Sequence, residues 1–145
     1  MILYLDASAL VKRYVAEAGS PEVEAQVKAA RTVGTALISR AEIAAALSKA
    51  VRLKVLDQEN GTHALQKFRE HWPYLLRLQL REMTVARADA LAWDYGLRGY
   101  DAIHLAAALS WQDSLGEPIT VATYDRQIWE AARRMGLAVW PEKLP

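Results

Sequence analysis

The 145-residue sequence contains no cysteine. Disulfides, thiolate nucleophiles, Cys-ligated zinc and iron–sulfur clusters are thereby excluded, and the chain suits a reducing cytoplasm. No apolar run approaches the roughly 20 residues of a membrane span, so no membrane partner is expected. The opening Met1-Ile2-Leu3-Tyr4-Leu5 meets Asp6 too soon to act as a secretory signal. Neither G-x-G-x-x-G nor G-x-x-x-x-G-K-[ST] occurs, which removes the common nucleotide phosphate cradles. An excess of one charge is missing too. Eighteen Lys and Arg stand against 17 Asp and Glu, a net of +1, so total charge says nothing about a nucleic-acid partner.

What is present is an ordinary globular composition, 52% apolar and 24% charged. The length matches one domain over residues 1–145, able to bury a core without covalent staples. Ile2-Leu3-Tyr4-Leu5 reads as a buried strand. Leu10, Val11, Tyr14 and Val15 mark a helix over Ser8 to Glu17, with Gly19 as its stop. Ser20-Pro21-Glu22 reads as a helix start capped by serine and running to about Arg31, and Val33 to Leu37 as a second strand. Ser39-Arg40-Ala41-Glu42 fits a capping box and opens a helix with Ile43, Leu47 and Val51 inward. Asp57 starts another helix that Pro73 must end or kink.

Alternation between Leu76 and Val85 suggests a strand, with continuation of a helix as the alternative, and Arg87 to Tyr95 reads as a helix that stops at Gly96. Asp101 opens the most apolar helix, Ala102-Ile103-His104-Leu105-Ala106-Ala107-Ala108-Leu109. Ile119 to Thr123 is a strand, Ile128 to Met135 a helix that ends at Gly136, and Leu137 to Trp140 a last strand. Strands alternating with helices predict an α/β fold with a parallel sheet covered on both faces.

In such sheets chemistry gathers beyond the carboxyl ends of the strands. Four acids fall there. Asp6 follows the first strand, Glu42 lies in the first turn after the second, Asp101 opens the apolar helix, and Asp125 lies two residues past Thr123. Singly, Glu42, Asp101 and Asp125 are explained as helix caps or partners of the helix dipole, whereas Asp6, closing a buried strand, is poorly solvated and wants a counter-charge. Together they would repel in a partly dry pocket, and no cations in the sequence obviously match them. A hard divalent ion would supply the charge, and carboxylate-plus-water coordination favours Mg²⁺ or Mn²⁺ over zinc. Ions held in this way are the usual apparatus of phosphodiester hydrolysis.

Tyr4-Leu5-Asp6-Ala7-Ser8-Ala9-Leu10, Ser39-Arg40-Ala41-Glu42, Tyr100-Asp101-Ala102-Ile103-His104-Leu105-Ala106-Ala107-Ala108 and Ala122-Thr123-Tyr124-Asp125 resemble the PIN-domain family. More narrowly, they resemble its VapC-type toxin ribonucleases. The four blocks span nearly the whole chain in the family's order. The resemblance implies a PIN-like three-layer sandwich, with a five-stranded parallel sheet of order 3-2-1-4-5 flanked by helices. It implies a Mg²⁺- or Mn²⁺-dependent endoribonuclease, the toxin of a toxin–antitoxin pair, neutralised by a small VapB-like antitoxin and acting as a homodimer. Asp6, Glu42, Asp101 and Asp125 match the acidic tetrad that holds the metal and carries catalysis, and Ser8 and Thr123 match its supporting hydroxyls. The expected reaction is attack of an activated water on phosphorus in RNA, leaving a 5′-phosphate and a 3′-hydroxyl.

His104, one turn after Asp101, reads as a hydrogen-bonded packing residue rather than a ligand or base, and His63 and His71 as solvated. The five tryptophans read as core or interface. From Arg40 to Arg81, eight basic residues face four acids, a local +4 that suits either phosphate steering or a plain solvated surface. Ser8, where a haloacid-dehalogenase-type phosphatase needs a second acid, argues against that class. The missing acidic pair and late-strand lysine argue against a receiver domain. A non-catalytic PIN-like binding module is the remaining alternative.

Overall fold

The computed structural model describes residues 1–144. Five parallel strands form one sheet: β1 (Ile2–Leu5), β2 (Thr32–Ala36), β3 (Leu76–Leu78), β4 (Thr120–Ala122) and β5 (Ala138–Trp140). Their order is β3-β2-β1-β4-β5, as the resemblance implies. Seven helices connect them: α1 (Ala7–Leu10), α2 (Ser20–Ala29), α3 (Ser39–Arg52), α4 (Gln58–His71), α5 (Glu82–Tyr95), α6 (Gly99–Leu115) and α7 (Arg126–Arg134). Among the described residues no helix is long and apolar enough to cross a membrane.

The central strand explains the layering. Ile2 and Tyr4 point to one face and pack with Leu105, Ala108, Trp111 and Ile128. Leu3 and Leu5 point to the other and pack with Leu10, Ile43, Leu47 and Phe68. A strand buried on both faces must be apolar at every position, which Ile-Leu-Tyr-Leu satisfies. Each of these leucines contributes about 1.5–3 kcal/mol by leaving water. The most apolar helix, α6, crosses β2 closely because Gly34 has no side chain there. A Cβ at that position would press into the Trp111 ring.

Several local expectations give way to tertiary contacts. The Ser8–Glu17 helix shrinks to α1 and a 3-10 turn, Val11–Arg13. Lys12 then reaches past the turn, with Nζ 2.8 Å from the Ala18 carbonyl and 3.1 Å from Glu17, and so shapes the loop. Gly19 does not end that helix but sits before α2 at φ +91°, where a side chain would strike the Tyr124 ring. Ser20 is not the cap of α2, because its hydroxyl donates to the Val15 carbonyl instead. The Ser39–Glu42 capping box does not form. Ser39 is buried and hydrogen-bonds Thr35 at 2.7 Å, while Glu42 turns to another partner. β3 ends at Leu78 because, as an edge strand, it pairs with β2 alone; α5 begins at Glu82, earlier than expected.

Candidate active site

The parallel register sets the carboxyl ends of β1, β2 and β4 side by side. The residues just beyond them therefore share one rim.

Asp6 closes β1 and is 1% exposed. Its carboxylate accepts from the Ser8 hydroxyl at 2.7 Å, the Thr123 hydroxyl at 2.6 Å and the Ala9 N–H at 2.9 Å, the last capping α1. Burial raises its pKa, outweighing the nearby His104 and these three donors, which all pull it down. The two hydroxyls are themselves fixed. Ser8 Oγ accepts from the Tyr124 N–H at 2.8 Å, and Thr123 Oγ1 from the Asp125 N–H at 3.0 Å. One carboxylate thus ties the end of β1 to the end of β4.

Asp101 and Asp125 share a partner that the sequence reading missed. Arg98 donates from Nε to Asp101 Oδ2 at 2.8 Å and from Nη2 to Asp125 Oδ2 at 3.0 Å. The expectation that no cation matches the acids is therefore corrected. The signal was present: Arg98 stands three residues before Asp101, and the residue just before a helix lies close to the third residue inside it. Asp101 is also not the residue that opens α6. Arg98 holds the position before the helix, and Asp101 is the third residue inside it, with both oxygens toward the guanidinium. Asp125 does cap α7, accepting from the Ile128 N–H at 3.0 Å with the oxygen that Arg98 leaves free.

Glu42, in the first turn of α3, faces His104 of α6, with Oε1 2.6 Å from Nε2. The Tyr4 hydroxyl lies 2.7 Å from Nδ1. With Nε2–H donating to the carboxylate, the neutral ring accepts from Tyr4 and the imidazolium donates to it. Burial alone would lower the His104 pKa. The Glu42 hydrogen bond and the charges of Asp6, Glu42 and Asp101 outweigh it, and the pKa is raised. His104 is packed and hydrogen-bonded as expected, but its partner is one of the four acids. His71, read as solvated, lies 3.3 Å from the Tyr14 hydroxyl, while His63 is exposed.

The structure brings all six expected residues to one rim. Asp6, Ser8, Thr123 and Asp125 form one hydrogen-bonded group, Asp101 joins Asp125 through Arg98, and Glu42 reaches the same neighbourhood through His104. The donor chemistry fits a hard divalent ion: four carboxylates, one buried and starved of counter-charge, and two already gathered around a cation. With the side chains as they stand, no three His, Asp or Glu groups among the described residues converge on one point. A guanidinium occupies the space between two of them.

The chain matches the PIN domain family over residues 3–134. It is 31% identical over 144 residues to Ribonuclease VapC45 of Mycobacterium tuberculosis, covering 99% of this chain and 97% of that protein. It is 30% identical over 132 residues to Ribonuclease VapC3 of Pyrobaculum aerophilum, covering 90% and 94%. Among solved structures it superposes on VapBC2 from Rickettsia felis, bound to a DNA fragment from its promoter, with a TM-score of 0.65. That alignment has 16% identity and covers 96% of this chain and 97% of that one. The strand order and the acidic rim already define a sheet protein with its chemistry at the carboxyl edge. The chain belongs to the PIN-domain family and, within it, to the VapC-type proteins.

Proposed function

We propose that this chain, acting as one PIN-like unit, is a Mg²⁺- or Mn²⁺-dependent endoribonuclease, the toxin of a toxin–antitoxin pair working in the cytoplasm. The carrying observation is the rim of four carboxylates at the ends of β1, β2 and β4, where Arg98 and His104 balance part of the charge. The names of the full-length relatives support the same reading.

Asp6, Glu42, Asp101 and Asp125 would hold the ion. When bound, it supplies Lewis acidity and a water acidified toward neutral pH. The rest is the work of this chain's side chains. Ser8 and Thr123 fix the Asp6 carboxylate in one orientation at the end of β1. His104 fixes Glu42 from the core side and leaves Oε2 free to orient or accept a proton from the attacking water. All eight basic residues from Arg40 to Arg81 are exposed, and none is ion-paired among the described residues; Arg40 adjoins Glu42 at the start of α3, whereas Lys49 and Arg52 lie in its last turn. This local excess of positive charge suits long-range attraction of an RNA backbone.

The partner reading rests on the same charges. A VapB-like antitoxin that presents an Arg or Lys to the carboxylates would silence the site by charge-assisted hydrogen bonds. The likeness of the fold to VapBC2 from Rickettsia felis supports a partner of this kind.

Incubating the purified chain with single-stranded RNA tests the proposal. EDTA should abolish cleavage, Mn²⁺ or Mg²⁺ should restore it with 5′-phosphate ends, and Ca²⁺ should restore it poorly because it activates water less. Undiminished cleavage in EDTA would remove the metal mechanism. Binding without cleavage under every metal would favour a non-catalytic module.

A further inference from the structure

Arg98 grips two acids that lie on different elements. Its Nε and Nη2 lie 2.8 and 3.4 Å from the two oxygens of Asp101, and Nη2 lies 3.0 Å from Asp125. The pair is lopsided in exposure: the Arg98 side chain is 68% exposed and that of Asp101 only 8%. The guanidinium therefore arrives from the solvent side and covers a buried carboxylate. Its backbone is extended, at φ −64° and ψ 152°, and lies outside the helical turns of α6. Among the described residues its side chain bonds to nothing except these two acids. Charge-assisted hydrogen bonds to these two acids hold it there.

We propose that Arg98 is an exchangeable counter-ion: it keeps Asp101 and Asp125 turned toward one point and occupies that point until a divalent cation displaces it. This rests on the metal reading of the site given above. Two cations compete for the same carboxylates. A guanidinium brings one charge at the distances seen here. Mg²⁺ or Mn²⁺ brings two, at about 2.1 Å. Coulomb attraction scales with charge over distance, so the ion gains roughly three times as much per carboxylate before its dehydration is counted. Arg98 loses little on release, because most of its side chain is already in water.

Both cations cannot occupy the gap between Asp101 and Asp125. The device has two effects of opposite sign. Arg98 lowers metal affinity by competing, and it spares the metal-free chain the repulsion of two neighbouring carboxylates. It is a positioning residue, acting through Asp101 and Asp125.

The test compares the wild-type chain with Arg98→Gln and Arg98→Lys. Mn²⁺ binding is followed by the electron paramagnetic resonance of free Mn²⁺, and melting is followed with and without Mn²⁺. Without metal, Arg98→Gln should melt below wild type. It should bind Mn²⁺ about three- to tenfold more tightly, the range expected from losing exposed ion pairs, and gain more in melting temperature from Mn²⁺. Arg98→Lys should fall between them, since an ammonium cannot fork across two carboxylates. It keeps the comparison open if Arg98→Gln fails to fold. If wild type binds Mn²⁺ and both variants bind it equally or more weakly, the exchange is wrong and the metal site stands. If neither wild type nor the variants bind Mn²⁺, the metal reading falls and the exchange with it.

Discussion

His104 Nε2 lies 2.6 Å from Glu42 Oε1, joining two helices whose residues are 62 apart in sequence. The contact makes a buried imidazole the inner support of an acid at the rim. Its charge state therefore couples the core to the site.

The first prediction concerns pH. The folded His104 pKa is raised above its ordinary value near 6.5. A raised histidine binds its proton more tightly folded than unfolded. Its stabilisation is complete below the unfolded pKa and is lost as pH rises through the folded one. Metal-free protein should lose stability between about pH 6.5 and the raised value, and His104→Gln should flatten that slope. Urea unfolding across this range checks it, and an identical slope in the variant would count against the pairing.

Asp6 has the opposite sense for an acid. Burial raises its folded pKa above the unfolded value near 3.9. Its ionised form therefore costs stability, and the cost sets in as pH climbs from the unfolded pKa through the folded one. Without metal at pH 7, Asp6→Asn should melt at or above the wild-type temperature, with the gap closing in acid. The same variant should lose cleavage. A large loss of stability at pH 7 would show that the hydrogen bonds from Ser8, Thr123 and Ala9 need the charge.

Asp101→Asn isolates the third acid. Asp101 caps nothing, so the start of α6 should survive the change. Arg98 already offsets its charge, so removing that charge brings no relief from repulsion. Calorimetry should show the metal-free variant melting at or below wild type. Cleavage should fall by more than the roughly 10–100-fold typical of residues that only support a ligand. Near wild-type cleavage would exclude Asp101 from the site.

Assembly gives the fourth prediction. Met83, Val85 and Trp93 of α5 are exposed, Trp93 at 88%, and exposed aromatics of this size commonly mark an interface. Light scattering at micromolar concentration should give twice the chain mass, and Trp93→Ser should shift the balance toward the monomer. A wild-type monomer at that concentration would refute the homodimer.

The sequence by itself determined the sheet. Ile2–Leu5 is apolar at every position, and a strand of that kind can only lie between two covered faces. That Asp6, Glu42 and Asp125 share one rim follows from that frame, because parallel strands put their carboxyl ends together, whereas Asp101 follows a helix. The most apolar helix was legible for the same reason, and Asp57 and Gly96 mark helix ends as their local chemistry requires. What tertiary structure alone decided is which partner each polar group takes. Ser39 and Glu42 carry the pattern of a capping box, yet Thr35 takes the serine and His104 the glutamate. A local hydrogen bond competes on nearly equal terms with one from across the fold. The same holds at the rim. The acids are visible as letters, but that Arg98 bridges Asp101 to Asp125 depends on α6 and α7 starting side by side. Spacing at the start of one helix can suggest the first of those pairs, and only the packed sheet supplies the second.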